Sequence, residues 1–260
     1  MHPDAFQIGS FTVPWFGVMV ALGSLIGLWT ASRRAMKVGI VPDKIFDVGV
    51  WLIVGGILGG RIFYVVTYWE KSFAGQPAWE IFAIRHGGLV YYGGLIGAAL
   101  AGNFYARRKK LPIWKLADIL APSLALGYAI GRIGCLMNGC CYGRTCDLPW
   151  AIHFPQTHET HGAAIHPTQI YESLLNLGLY FAMAWFFKRR KFDGQVFAVY
   201  LMCYALARSF VEIFRGDYTP QHIHGGLTPA HLVSIGIFAA GLILLLKLPR
   251  VAAAKMEDGR

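Results

Sequence analysis

At 260 residues, 55% hydrophobic, 15% charged and with a mean hydropathy of +0.46, the chain is too apolar for a soluble domain, which carries roughly a quarter charged residues. Its net charge of +10 does not indicate a nucleic-acid face, because the basic residues fall in short clusters between apolar runs. What remains is an all-α polytopic membrane protein, read here as a single domain over residues 1–260.

Met1 to Val13 lacks a basic stretch and a small-residue cleavage site, so no removable signal peptide is expected. Seven apolar segments follow, at roughly 14–32, 45–68, 88–106, 116–136, 169–187, 195–214 and 229–248. Each approaches the roughly 20 residues that cross a bilayer as a helix. Basic clusters follow the odd-numbered segments: Arg33, Arg34, Lys37 and Lys44; Arg107, Arg108, Lys109, Lys110 and Lys115; Lys188, Arg189, Arg190 and Lys191; and Lys247, Arg250, Lys255 and Arg260. These make 17 of the 24 Lys and Arg, and the positive-inside rule puts them in the cytoplasm. The N-terminus is then outside and the C-terminus inside. All nine histidines (2, 86, 153, 158, 161, 166, 222, 224 and 231) fall on or near the opposite side. The longest outer connection, about 137–168, forms a small head region.

Asp47, Arg61, Asp118, Arg132, Glu172, Arg208 and Glu212 lie within or at the edges of the spans. An ionisable group in hydrocarbon costs at least about 2.5 kcal/mol, so such residues face a bundle interior or a wet cavity. Asp47 and Asp118, near the cytoplasmic ends, suit pairing for assembly. Arg132 sits near the outer end of the fourth segment, at phosphate depth. Arg208 has Glu212 one helical turn later and can pair with it. Because guanidinium forks onto phosphate oxygens, the two arginines suit a lipid-phosphate site. Gly55, Gly56, Gly59 and Gly60, and Gly93 with Gly97, form small-xxx-small patterns that favour close helix packing.

Four ordered blocks carry a resemblance. Gly131-Arg-Ile-Gly-Cys-Leu-Met-Asn138-Gly-Cys-Cys-Tyr-Gly143-Arg144 resembles the Gly-Arg-x-Gly-Asn-Phe-x-Asn-Gly-Glu-x-x-Gly-Arg signature of prolipoprotein diacylglyceryl transferases. Tyr92-Gly-Gly-Leu-Ile-Gly97 resembles that family's His-Gly-Gly-Leu-Ile-Gly, and His166-Pro-Thr-Gln-Ile-Tyr-Glu172 its His-Pro-Ser-Gln-Leu-Tyr-Glu. Tyr204, Arg208, Glu212 and the following Phe-Arg-Gly-Asp217 resemble its Arg-x-x-x-Glu-Phe-Phe-Arg-x-Pro-Asp run.

The resemblance implies seven helices with the N-terminus outside, in a bacterial cytoplasmic membrane with the active site toward the outer face. It implies transfer of the diacylglyceryl group of phosphatidylglycerol to the lipobox cysteine thiol of a prolipoprotein, releasing glycerol 1-phosphate. No metal, organic cofactor or nucleic acid is implied. Arg132 and Arg208 would hold the headgroup, with Glu212 orienting Arg208. Asn138, Gly143, Arg144, Tyr204 and His166 would form the substrate pocket. The chain departs from the family pattern in having Tyr92 for the histidine, Cys135 for the first signature asparagine, Cys140 for its glutamate and Phe16 for a tyrosine. Tyr92 would then position lipid while the arginines or His166 promote thiol ionisation. The alternative is a paralogue that binds or transports phospholipid through the same arginines without chemistry.

Cys135, Cys140, Cys141 and Cys146 lie within twelve residues on the outer side. Two loop disulfides are the first expectation there, ahead of free thiols or a metal site with His153, His158 or His161.

Overall fold

A computed structural model describes residues 4–9, 11–83, 87–217 and 227–257. The described residues form seven α-helices: α1 Trp15–Met36, α2 Pro42–Thr67, α3 Tyr91–Arg108, α4 Ile113–Asn138, α5 Thr168–Phe187, α6 Gln195–Glu212 and α7 Pro229–Glu257. Five of them, α1, α2, α4, α5 and α7 up to Pro249, are long and apolar enough to cross a membrane. The 18-residue α3 and α6 fall short. Glycine, Asn103 and two arginines dilute α3, and Arg208 and Glu212 dilute α6. The chain divides into two compact units, one of residues 32–116 and one of residues 1–31 with 117–260.

In the first unit, α2 begins with Pro42 directly after the extended Val41, where a missing N–H costs nothing. α2 and α3 meet through glycine. A Cβ on Gly97 would overlap the Gly55 carbonyl oxygen, and one on Gly59 the Gly93 carbonyl oxygen. The backbones therefore touch, as small residues permit. Asp47 accepts a hydrogen bond from Tyr105 Oη at 2.6 Å, an assembly role. Arg61 is a clamp: Nε donates to the Ile81 carbonyl, Nη2 to that of Glu80 and Nη1 to that of Gly87, each at 2.7 Å. It thereby fixes the return of the segment after α2, which holds a π-turn at Trp69–Phe73 and a 3-10 turn at Ala78–Phe82.

In the second unit, an N-terminal hairpin pairs β1 Asp4–Ile8 with β2 Phe11–Pro14, antiparallel. The hydropathy reading had not resolved this short element. α1 packs on α4, where Ser123 Oγ donates to the Gly27 carbonyl at 2.5 Å and lies 3.0 Å from Thr30 Oγ1. Asp118 fixes the turn between α5 and α6. Its carboxylate accepts from the Gly194 N–H at 2.8 Å and the Phe197 N–H at 2.9 Å, with Arg190 Nε at 3.5 Å. A carboxylate at a helix N-terminus satisfies donors the helix cannot. The connection from α4 to α5 carries a two-stranded ribbon, β3 Ile152–His153 against β4 Ala164–Ile165.

Candidate functional site

Helices α4, α5 and α6 bring four charged side chains together. Arg132 Nε forms an ion pair with Glu172 Oε2, and Arg132 Nη2 donates to Tyr128 Oη. Tyr128 Oη in turn donates to Glu172 Oε2 at 3.1 Å. Arg208 Nη1 lies 2.5 Å from Glu212 Oε2 and 3.4 Å from Glu172 Oε1. Glu172 thus stands between the two arginines and is only 3% exposed. Thr228 Oγ1 donates to Glu212 Oε1 at 2.6 Å and lies 3.0 Å from His231 Nδ1. Two cations and two carboxylates leave the cluster neutral, which is what burial of charge demands.

A tight hollow without room for a water molecule lies beside this network, lined by Tyr128, Glu172, Asn176, Tyr204 and Arg208 among others. The Tyr128 and Tyr204 rings meet edge to face at 5.6 Å. One buried oxygen there, Asn176 Oδ1, accepts no hydrogen bond, and Glu172 Oε1 has only its ion pair with Arg208. Buried acceptors without donors are uncommon. Glu172 and Asn176 escaped the sequence reading as site residues. Glu172 was visible as one membrane charge among seven and as the end of the His166 block, with no role attached, and Asn176 one turn later carried no signal of its own.

Three of the four sequence blocks interlace next to it. The Gly143 N–H donates to the His166 carbonyl at 3.1 Å, the His166 N–H to the Arg144 carbonyl at 3.0 Å and the Arg144 N–H to the Phe214 carbonyl at 2.9 Å. A Cβ on Gly143 would stand 2.5 Å from His166 Cβ and 2.8 Å from the Phe214 oxygen. Only glycine fits there. Arg144 is exposed, and Asn138 closes α4. His166 Nδ1 lies 3.3 Å from Tyr171 Oη. Burial, reinforced by the nearby Arg144 cation, holds the imidazole below its ordinary pKa, which favours the neutral ring.

Tyr92 belongs to the other unit, in the first turn of α3, where it is 46% exposed and its ring meets Tyr91 at 5.7 Å. His2, His86, His222 and His224 lie outside the described residues. His153 and His158 tie their loop, with His153 Nδ1 at 2.9 Å from the Gly162 oxygen and His158 Nε2 at 2.9 Å from the Gly139 oxygen.

The structure draws no bridge among the four outer cysteines: all five cysteines are unbridged. Cys135, Cys140 and Cys141 gather with their sulfurs within 4.8 Å of one another. Cys146 is drawn away, because its N–H donates to the Ala164 carbonyl at 3.0 Å alongside the ribbon. Hydrogen bonds from the Cys135 and Cys140 thiols, helped by Arg132 and Arg215, push the Cys141 thiol well below its ordinary pKa. Cys140 is raised. Among the described residues no histidine belongs to this cluster.

Comparison with known proteins matches residues 3–247 to the family described as prolipoprotein diacylglyceryl transferase. The chain belongs to that family. Relatives named phosphatidylglycerol–prolipoprotein diacylglyceryl transferase include one from Synechococcus elongatus, 37% identical over 93% of this chain and 85% of the relative. Another, from Finegoldia magna, is 37% identical over 95% of this chain and 96% of its own length. A third, from Bacillus cereus, is 38% identical over 93% and 90%. Family membership thus extends across both compact units, including the Tyr92 block that the charge network does not contain.

Proposed function

We propose that this protein transfers the diacylglyceryl group of phosphatidylglycerol to the lipobox cysteine thiol of prolipoproteins, releasing glycerol 1-phosphate. It would do so as one polytopic domain of seven spans in a bacterial cytoplasmic membrane, with the N-terminus outside and the site facing outward. The observation that carries this reading is the shared engagement of Arg132 and Arg208 with Glu172. Two guanidiniums held around one point suit a lipid phosphate that takes the place of the carboxylate.

The chemistry fits the residues. As the C–O bond breaks, charge grows on the phosphate oxygens of the leaving group. Preorganised cations in a water-poor site stabilise such charge, usually the largest catalytic contribution. Glu212, held by Thr228, positions Arg208. Asn176 Oδ1, which accepts no hydrogen bond, suits a hydroxyl of a glycerol headgroup. Gly143, Asn138, Arg144, Tyr204 and His166 shape the surroundings, and Tyr92 positions lipid.

Purified protein in detergent, given labelled phosphatidylglycerol and a lipobox peptide, should form a thioether-linked product, and Arg208→Ala should abolish it. Lipid binding without any product, under conditions where the Bacillus cereus relative turns over, would replace the transferase with a phospholipid-binding protein.

A further inference from the structure

Arg132 touches two sets of groups. One is the carboxylate network. The other is the thiol cluster at the end of α4, which the lipid site does not use. Arg132 Nη1 donates to Cys135 Sγ at 3.9 Å. Cys135 sits in the last turn of α4 and is 8% exposed. The chain then doubles back: the Cys140 N–H donates to the Cys135 carbonyl at 3.2 Å, and Cys140 Sγ points at the same carbonyl at 3.7 Å. Cys141 adopts a left-handed conformation with φ of 63°. That region is unfavourable for a residue with a β-carbon, and here it turns the third sulfur toward the other two. A strained residue held by its surroundings is a common mark of a functional position. The result is three sulfurs within 4.8 Å of one another.

The geometry points to a three-thiolate site for a thiophilic divalent ion of the zinc class, formed by Cys135, Cys140 and Cys141, whose fourth position takes the thiol of the acceptor peptide. Zinc holds thiolates at about 2.3 Å, which places tetrahedral sulfurs about 3.8 Å apart. The observed cluster needs to close by only about an ångström to meet that spacing, and two of its members lie in a loop. Three thiolates and a divalent ion carry one net negative charge, and the Arg132 guanidinium touches the cluster at Cys135. Three protein ligands with one open position is the arrangement of catalytic rather than structural zinc. It departs from the family expectation of no metal.

Such a site supplies what Tyr92 does not. A thiol that coordinates a divalent ion is deprotonated outright, and the thiolate is the nucleophile. The acceptor cysteine would lose its proton to water on entering the fourth position. Its sulfur would then form the C–S bond to the terminal glyceryl carbon while the C–O bond breaks, and the electron pair would leave on the oxygen of glycerol 1-phosphate. Nothing is oxidised or reduced. Only this second half, the use of the open position, rests on the transferase reading.

The test uses the full-length protein, purified in detergent under reducing conditions, stripped by chelator and titrated with Cd²⁺ and separately with Zn²⁺. One ion per chain should be taken up, with the ultraviolet thiolate-to-cadmium band appearing in step. Cys135→Ser, Cys140→Ser and Cys141→Ser should each lose that band, whereas Cys146→Ser keeps it. Phosphatidylglycerol binding by the triple serine variant verifies that it is folded. Transfer to a lipobox peptide should collapse on chelation and return with Zn²⁺. Absence of saturable uptake by the reduced wild-type protein overturns the site. Uptake with transfer indifferent to chelation and to the triple substitution overturns the role of the open position. Uptake with no transfer in any form leaves the ion site standing and removes the transferase reading instead.

Discussion

Two helix contacts in this molecule are held by opposite means. Between α2 and α3 the closest approach is backbone on backbone: glycines at 55, 59, 93 and 97 let carbonyls and α-carbons touch. Among α4, α5 and α6 the contact is made by Arg132, Glu172, Arg208 and Glu212, with Tyr128 between them. In a bilayer the apolar surface of a helix gains little by leaving lipid, so association depends either on close packing or on polar groups that need each other. The first contact is indifferent to ligand. The second is a set of charges that an incoming anion can rearrange.

Substitutions that break one contact and spare the other sharpen this distinction. The largest effect is expected from Arg132→Ala, which should lower transfer about 10²- to 10³-fold, the loss of one preorganised donor. It also leaves Glu172 with one cation instead of two, so thermal unfolding in detergent should move down with it. Gly97→Val should do the reverse. Its side chain has no room against Gly55, and overpacking of this kind costs about 3 kcal/mol. Unfolding should shift while phosphatidylglycerol affinity per folded molecule stays unchanged. A Gly97→Val protein as stable as wild type would remove the packing argument. The smallest effect concerns His166. Its pKa is lowered in the folded protein, so its contribution to stability is complete above the unfolded value near 6.5 and declines as pH falls below it. His166→Gln should flatten that acid limb; an unchanged limb would assign it to another group.

The helices were legible because each apolar run is long and bounded by charge or glycine, which requires no knowledge of partners. The predicted segment at 195–214 coincides within two residues with α6, and that at 169–187 with α5. The β1–β2 hairpin was not legible: nine residues with one short alternation carry little periodicity. Within the site, Arg208 and Glu212 could be paired from sequence, because four residues on a helix is a fixed distance. The position of Glu172 between two arginines from two other helices could not. It depends on how three helices meet, which no local spacing encodes. The grouping of the cysteines was not legible for a similar reason. Proximity in sequence suggested bridges, whereas the left-handed turn at Cys141 and the ribbon beside Cys146 separate one sulfur from the other three.

The carboxylate of Glu172 has one further consequence for turnover. On the proposed reading, a phosphate does not add to a vacant pair of cations; it trades places with a resident anion. Affinity for any anionic headgroup is therefore blunted, so the surrounding sea of phospholipid does not saturate the enzyme unproductively. When the water-soluble phosphate product departs, the same carboxylate recaptures both arginines and resets the cycle. Inorganic phosphate should consequently be a poor inhibitor of this protein.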